Sequence, residues 1–338
     1  MSQQYVVAIA GATGAVGVEM IRTLEQRHFP VRKLRLLASE RSVGKKMKYN
    51  GSDVTVEELT EGSFKGVELA LFSAGAERSR IFAPAAVTAG TVVVDNSSAF
   101  RMDEAVPLVI PEVNPQEVAR HHGIVANPNC STIIALVPLW PLHKAARIVR
   151  LVAATYQAVS GTGAKAIEEL EQQVRAYVKG EPIKRSVYPH QIAFNVLPQV
   201  GPADASGYTQ EEKKLLHETR KIFGDGRIRV SATCVRVPVF RSHSEALFIE
   251  TEKKLTAAEA KAILAKAPGV IVKDDVNANQ YPMPLEASGR GEVIVGRIRE
   301  DSSCDRGLAL WVAGDQLLKG AALNAVQIAE ILYGMKKS

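Results

Sequence analysis

The sequence predicts an α/β protein of two domains, a parallel-sheet domain followed by an α+β domain on a mixed or antiparallel sheet. Three observations carry this. A chain of 338 residues is about two domains, taking roughly 150 residues for each. Through the first third, short apolar runs alternate with helical periodicity, the pattern of strands covered on both faces by helices. Beyond about residue 147 the strand candidates lengthen and follow one another, with helices grouped between them, which suits an α+β sheet.

In order along the chain, strands are expected over 6–10, 34–38, 69–73, 92–95 and 124–126, each a short apolar run. A helix is expected over 16–24, where Val16, Met20 and Leu24 recur at helical spacing. The later strands are expected over 148–159, 228–239, 246–251, 292–299 and 308–312, and helices over 164–179, 209–223 and 257–266. Thr209-x-x-Glu212 and Thr256-x-x-Glu259 have the spacing at which a hydroxyl and a carboxylate satisfy the unpaired amides of a helix start. Residues 316–333, rich in Ala and Leu, complete the chain as a last helix.

Composition narrows the function. Apolar residues are 46% and charged residues 23%, which excludes disordered and fibrous classes. No apolar run approaches the roughly 18 to 20 residues of a membrane-spanning helix. The N-terminus runs into glycines without a basic leader, so no signal peptide is expected. Three cysteines make no disulfide framework, and no CxxC or Cys/His cluster suggests a metal. A cytoplasmic protein with reduced thiols is expected. Lys plus Arg outnumber Asp plus Glu, 42 to 36, which favours anionic partners. The basic residues are scattered and aromatics are only 6%, so small anionic molecules are expected rather than nucleic acid.

Gly11-Ala12-Thr13-Gly14-Ala15-Val16-Gly17 follows the first strand and opens the first helix. Glycines let the backbone turn sharply and approach a pyrophosphate, which the amides of a helix start then receive. These residues are the expected dinucleotide cradle of a Rossmann-like domain, with Ser73 at the end of a later strand. At the end of the second strand, an acidic residue usually marks NAD. Here the chain reads Ser39-Glu40-Arg41-Ser42; Ser39, Arg41 and Ser42 suit a 2′-phosphate, so NADP is expected, although Glu40 could face a ribose. Lys48 reads as solvated loop.

Asn127-Pro128-Asn129-Cys130-Ser131-Thr132 precedes an apolar helical run. A thiol at a helix start sits in the positive end of the dipole, which favours thiolate. The same amides can hold an oxyanion formed when sulfur attacks a carbonyl. Cys130 is therefore the candidate nucleophile; Cys234, inside a strand, reads as core, and Cys304, in a polar loop, has no assigned role. A thiol nucleophile needs a proton-transfer partner. Of the seven histidines, His243 sits in a polar break between two apolar strands, Arg241-Ser242-His243-Ser244, where reactive side chains concentrate.

These residues together carry a resemblance. The glycine turn, Ser97-Ser98-Ala99-Phe100-Arg101, the block around Cys130 and Gln157-x-x-Ser160-Gly161 resemble aspartate-semialdehyde dehydrogenases. So do Glu211-Glu212-Lys213-Lys214, Arg236 through His243, and 319–327, in order over nearly the whole chain. N-acetylglutamyl-phosphate reductases are similar in plan but carry Gly where this chain has Asn129.

The resemblance implies reduction of β-aspartyl phosphate to aspartate semialdehyde with NADPH, within lysine/diaminopimelate, threonine, methionine and isoleucine biosynthesis. It implies Cys130 as the nucleophile that forms an acyl-thioester and His243 as the acid/base group. Arg236 is then the carboxylate receptor, Glu211 the ammonium receptor, and Arg101 and Lys214 the phosphate receptors. Gln157 orients the acyl group, and Asn129 joins the substrate contacts. Read from the residues alone, Glu211 and Lys214 are an i,i+3 pair on a solvated helix face. Ser160, Gly161 and Gln316 are implied near the nicotinamide, with Gln316 standing where the family usually has Asn. The resemblance further implies a discontinuous NADP-binding domain, 1–128 plus 315–338, and a catalytic and dimerisation domain, 129–314, in a homodimer. Two alternatives share these residues: a reductase of another acyl phosphate, and a catalytically silent NADP-binding relative.

Overall fold

The structure, a computed structural model, describes residues 3–335. The chain forms two compact units, one running to Asn129 and resuming at Ala321, the other spanning Cys130–Gly320. No helix among the described residues is long and apolar enough to cross a membrane.

The first unit contains β1 (Tyr5–Ala10), α1 (Ala15–Gln26), β2 (Val31–Ala38), β3 (Lys46–Tyr49) and β4 (Ser52–Glu58). It continues with β5 (Leu69–Phe72), α2 (Ala76–Thr88), β6 (Val92–Asp95) and β7 (Ile124–Ala126). The sheet runs β3-β4-β2-β1-β5-β6-β7, and every neighbouring pair is parallel except the β3–β4 hairpin. Almost every side chain of β1 is buried, because helices cover both faces. Val7, Ile9, Met20 and Leu24 share one core with Val326 and Ala329 of the C-terminal helix, Leu323–Leu332. Phe64, Phe72, Ala83 and Ala86 fill the other. Strand order reverses between β1 and β5, with β2 on one side and β5 on the other. The loops leaving their carboxyl ends diverge there, which is where such sheets open a crevice.

The second unit contains α3 (Cys130–Ala146), β8 (Ile148–Gln157), α4 (Ala164–Lys179), α5 (Gln210–Phe223), β9 (Arg229–Arg236) and β10 (His243–Thr251). After these come α6 (Ala257–Leu264), β11 (Val270–Val272), β12 (Val293–Glu300) and β13 (Gly307–Gly314). Its sheet, β11-β12-β13-β10-β8-β9, is mixed: β8–β9 and β11–β12 are parallel, the rest antiparallel. The run Ile133 to Leu139 in α3 is buried throughout, as an all-apolar helix must be. It lies on β8, β10, β12 and β13, flanked by α5 and α6. Both expected helix starts form reciprocal caps, at Thr209 with Glu212 and at Thr256 with Glu259.

Two expectations change. The polar segment at His243 is no loop: β10 begins there, and His243 pairs with Gly314. Backbone bonds make the ladder, so polar side chains continue a strand when its neighbours receive them. The last helix is also not continuous from 316. Asp315 accepts the amides of Leu317 and Leu318 at 3.0 and 3.2 Å, a wide turn follows over Leu318–Ala322, and the α-helix starts at Leu323.

Candidate active site

In the first unit the glycine turn closes on itself. Gly11 has φ +88°, and a Cβ there would lie 2.4 Å from the carbonyl oxygen of Ser73, so only glycine brings the end of β1 so close to the end of β5. Gly14 caps α1, and Ala15, Val16 and Gly17 begin its first turn, leaving the helix-start amides for an anion. A cavity of about 150 Å³ opens here, lined by Gly11, Thr13, Gly14, Ser39, Ser73 and Arg78 among others. Ser42 is buried, with Oγ 3.3 Å from the Thr13 hydroxyl; Arg41 is exposed beside it. Lys46 and Lys48 stand on β3 and pair with Asp53, so Lys48 lies on an exposed hairpin strand rather than in the loop read from sequence. The cradle, the cavity and the cationic Arg78 fit a dinucleotide. Arg78 escaped the sequence reading because nothing in its local pattern distinguishes it from a surface helix residue.

Arg101 and Asn129 also belong to the first unit. Arg101 is buried, giving Nε to the carbonyl of Asn127 at 2.9 Å and Nη2 to that of Asn96 at 3.0 Å. Asn127 in turn donates Nδ2 to Asn96 and accepts from Asn324. The guanidinium is thus locked in one pose. Asn129 is buried immediately before Cys130.

In the second unit, strand order does the assembling. β8 and β9 run parallel, so Gln157 and Arg236 end side by side, and β10 starts at His243 on the other flank of β8. Gln157 is buried and donates Nε2 to Oε1 of Glu211 at 3.1 Å. The other oxygen of Glu211 accepts from Lys214 Nζ at 2.9 Å. The i,i+3 pair on α5 therefore turns inward against the sheet end, not outward as the residues alone suggest. Arg236 is buried, with Nη1 on the carbonyl of Ala158 at 2.7 Å. Gly161 lies against both cation and ring: a Cβ there would come within 2.9 Å of Arg236 Nη1 and 3.2 Å of His243 Nε2.

Cys130 opens α3 and is partly exposed. Gly320 packs on it, and a Cβ at Gly320 would lie 2.9 Å from Cys130 Cβ and 3.4 Å from that of Gln316. Gln316 is buried with both ends of its amide engaged. Nε2 donates to Ser160 Oγ, and Oε1 accepts the Ser242 amide at 2.7 Å. Ser242 holds φ +73°, a conformation that costs a residue with a Cβ roughly 1–2 kcal/mol and that Gln316 helps to fix just ahead of His243. Gly320 and Gln316 thus tie the thiol, Ser160 and the histidine strand into one cluster. Gly320 was missed in the sequence because only its space matters, and space has no local signature.

Burial decides the charges. His243 is completely buried, and its pKa falls to about 3, first through desolvation and then through the Arg236 charge, with Glu211 opposing. Cys234 is buried on β9, the edge strand of the sheet, and its thiol is pushed up to about 12, chiefly by burial, which makes it the inert core thiol expected. Glu245, two residues after His243 on the same buried face of β10, was not anticipated. Neither of its carboxylate oxygens has a hydrogen-bond partner among the described residues. Burial first, then the nearby Glu211, raises its pKa well above the usual carboxylate value. A charged residue at an inward position of an alternating strand was the available signal. Because the folded pKa is raised, an unfolded chain ionises above about pH 4.3 while the folded one does not, so stability is lost as pH rises past that point. Glu245→Gln, which does not titrate, is expected to gain melting temperature over the parent at pH 8 and less at pH 5. An unchanged difference across a calorimetric pH series would refute the neutral carboxyl.

Comparison with known proteins places this geometry. Residues 6–121 match the family described as Semialdehyde dehydrogenase, NAD binding domain. Residues 139–319 match Semialdehyde dehydrogenase, dimerisation domain. The chain is 55% identical to an aspartate-semialdehyde dehydrogenase of Aquifex aeolicus over 332 residues, 97% of this chain and 98% of that one. Aspartate semialdehyde dehydrogenase II of Vibrio cholerae, solved in complex with ASA, superposes with TM-score 0.95 at 47% identity over 98% of each chain. The Candida albicans enzyme solved with NADP has TM-score 0.76 at 26% identity, over 98% of each chain.

Proposed function

Because the chain belongs to the aspartate-semialdehyde dehydrogenase family, we propose that it converts β-aspartyl phosphate to aspartate semialdehyde and phosphate with NADPH, by way of an acyl-thioester on Cys130. The observation that carries this reading is the meeting of Gln157, Arg236 and His243 at one sheet end, in the unit whose first helix begins with Cys130.

The Cys130 sulfur attacks the acyl carbon and phosphate departs. A thioester accepts hydride far more readily than a carboxylate, which is why a covalent step suits this substrate. When bound, the reduced nicotinamide supplies that hydride. Arg236 has the planar fork to hold the substrate carboxylate. Glu211, already facing Gln157, receives the ammonium, and Gln157 orients the acyl group. Lys214, Arg101 and Asn129 are the proposed contacts at the phosphate end, where fixed positive charge also stabilises the leaving group. His243 presents its ring to the reacting acyl group.

The cofactor is held by Gly11, Thr13, Gly14 and the α1 start, Ala15 to Gly17, with Ser73 beside them. Ser160, Gly161 and Gln316 are the proposed neighbours of the nicotinamide. NADP is preferred over NAD because Ser39, Arg41 and Ser42 surround the place of a 2′-phosphate, and Arg78 adds a further cation at the cavity. The NADP complex of the Candida relative supports that preference. The protein works as a cytoplasmic homodimer in the biosynthesis of diaminopimelate and lysine, threonine, methionine and isoleucine. The matched dimerisation domain supports the assembly.

A phosphate-dependent assay of aspartate semialdehyde oxidation, with NADP and NAD side by side, tests this. Reduction of NADP is expected to exceed that of NAD, with no turnover of N-acetylglutamate semialdehyde. A folded protein that reduces neither nucleotide overturns the reading.

A further inference from the structure

We propose that Asp315 is a positioning residue for this reaction: its carboxylate joins the turn that closes on Cys130 to the entry of the His243 strand, and so sets the thiol against the imidazole. This deepens the function proposed above and rests on it. The Asp315 side chain is completely buried. Oδ1 accepts the N–H groups of Leu317 and Leu318 at 3.0 and 3.2 Å. Oδ2 accepts Arg241 Nε at 2.6 Å and the N–H of Gly289 at 2.7 Å. The backbone carbonyl of Asp315 accepts the N–H of Gly320 at 3.0 Å. Three stretches of chain far apart in sequence thus meet on one residue.

Two of these stretches lead to reacting groups, and the third braces them. Leu317, Leu318 and Gly320 make the turn that packs on Cys130, so tightly that a Cβ at Gly320 would lie 2.9 Å from that of the cysteine. Arg241 stands two residues before His243. Between them, Ser242 gives its N–H to Gln316, the neighbour of Asp315, at 2.7 Å. The Ser242 hydroxyl meets that of Ser288, the neighbour of Gly289, at 2.9 Å. The imidazole is held from its other side, where Nδ1 accepts the N–H of Ala158 at 3.0 Å.

Only a carboxylate suits this junction. Its four side-chain partners are all donors, and a carboxylate is all acceptor. Asparagine keeps the size but turns an NH2 group on two of those donors, whichever way the amide is flipped. Buried donors left without an acceptor are costly, so either the turn or the Arg241 segment must move. A displacement of about 1 Å caused far from the chemistry can cost about 10²-fold in rate. The groups proposed to hold the substrate are tied elsewhere, Gln157 and Arg236 on β8 and β9, Glu211 and Lys214 on α5. Substrate binding should therefore survive where turnover does not.

The test is steady-state kinetics of the full-length protein with aspartate semialdehyde, phosphate and NADP, beside alkylation of Cys130 by iodoacetamide read by mass spectrometry. Asp315→Asn is expected to lower kcat by about 10²-fold, with the KM for aspartate semialdehyde little changed. Alkylation is expected to be as fast as in the parent or faster, because the thiol stays and its wall loosens. A kcat close to the parent's overturns the proposal. So does a loss of kcat matched by slower alkylation, or one accounted for by the unfolded fraction in a thermal melt. Arg241→Met reaches the same junction from its partly exposed side, should Asp315→Asn fail to fold. It is expected to lower kcat at unchanged KM, and Arg241→Lys, which keeps a donor there, to recover part of the loss. Parental kcat in Arg241→Met, or no recovery with Lys, counts against the junction. An inactive parent protein would sink the proposed reaction and this inference with it, whereas an active parent with unaffected variants sinks this inference alone.

Discussion

Replacement of Cys130 by serine is expected to lower phosphate-dependent turnover by about 10³-fold or more while NADP binds as before. Removing a covalent nucleophile forfeits the whole two-step route, not one contact, and losses of that size accompany such changes. An alcohol is a far weaker nucleophile than a thiol near neutral pH, and the amides at the start of α3 do not close that gap. The hydroxyl occupies no more space than the sulfur, so Gly320 still packs and the fold should stand. Steady-state kinetics with fluorescence titration of NADPH separate the two effects. Turnover within tenfold of the parent would remove Cys130 from the mechanism.

Gly11→Ala is expected to be the most damaging small substitution in the first unit. The new methyl would meet the Ser73 carbonyl oxygen at 2.4 Å and its carbon at 2.6 Å, at φ +88°. Both obstacles are backbone and belong to a strand end fixed by its neighbours, so neither can swing away. Strain and overpacking together cost about 4 kcal/mol. For a unit of this size that is a fall in melting temperature of roughly 10 °C, with loss of NADP binding. A calorimetric shift below about 2 °C would mean that β1 and β5 are not held as described.

What was legible in the sequence follows from the range of each signal. The apolar strands of the first unit and the capped starts of α5 and α6 are local, and each appears within a few residues of its expected place. The β3–β4 hairpin was overlooked although Asn50-Gly51 marks it; both residues have positive φ, 46° and 76°, as a two-residue hairpin turn demands. α2 lacks a clear apolar stripe, and β11 has only three residues, so neither stands out from its surroundings. Cys130 could be chosen because a helix start is a local feature. The grouping of Gln157, Arg236 and His243 could not, because it depends on β8 lying between β9 and β10. Glu211 shows the difference most plainly. Its helical spacing argues for solvent; only the family resemblance turned it towards the substrate, and the bond it makes with Gln157 was not expected from either.

The C-terminal helix, Leu323–Leu332, supplies Ala325, Val326, Ile328 and Ala329 to the core beneath β1. A ribosome delivers that helix after the second unit. The nascent first unit must therefore wait, its central strands short of one wall, through synthesis of all of Cys130–Gly320. The second unit is one unbroken stretch of chain and can close while translation continues, although domains usually mature from the N-terminus. A chain ending at Gly320 would keep the thiol-bearing unit whole and leave the glycine turn without its backing.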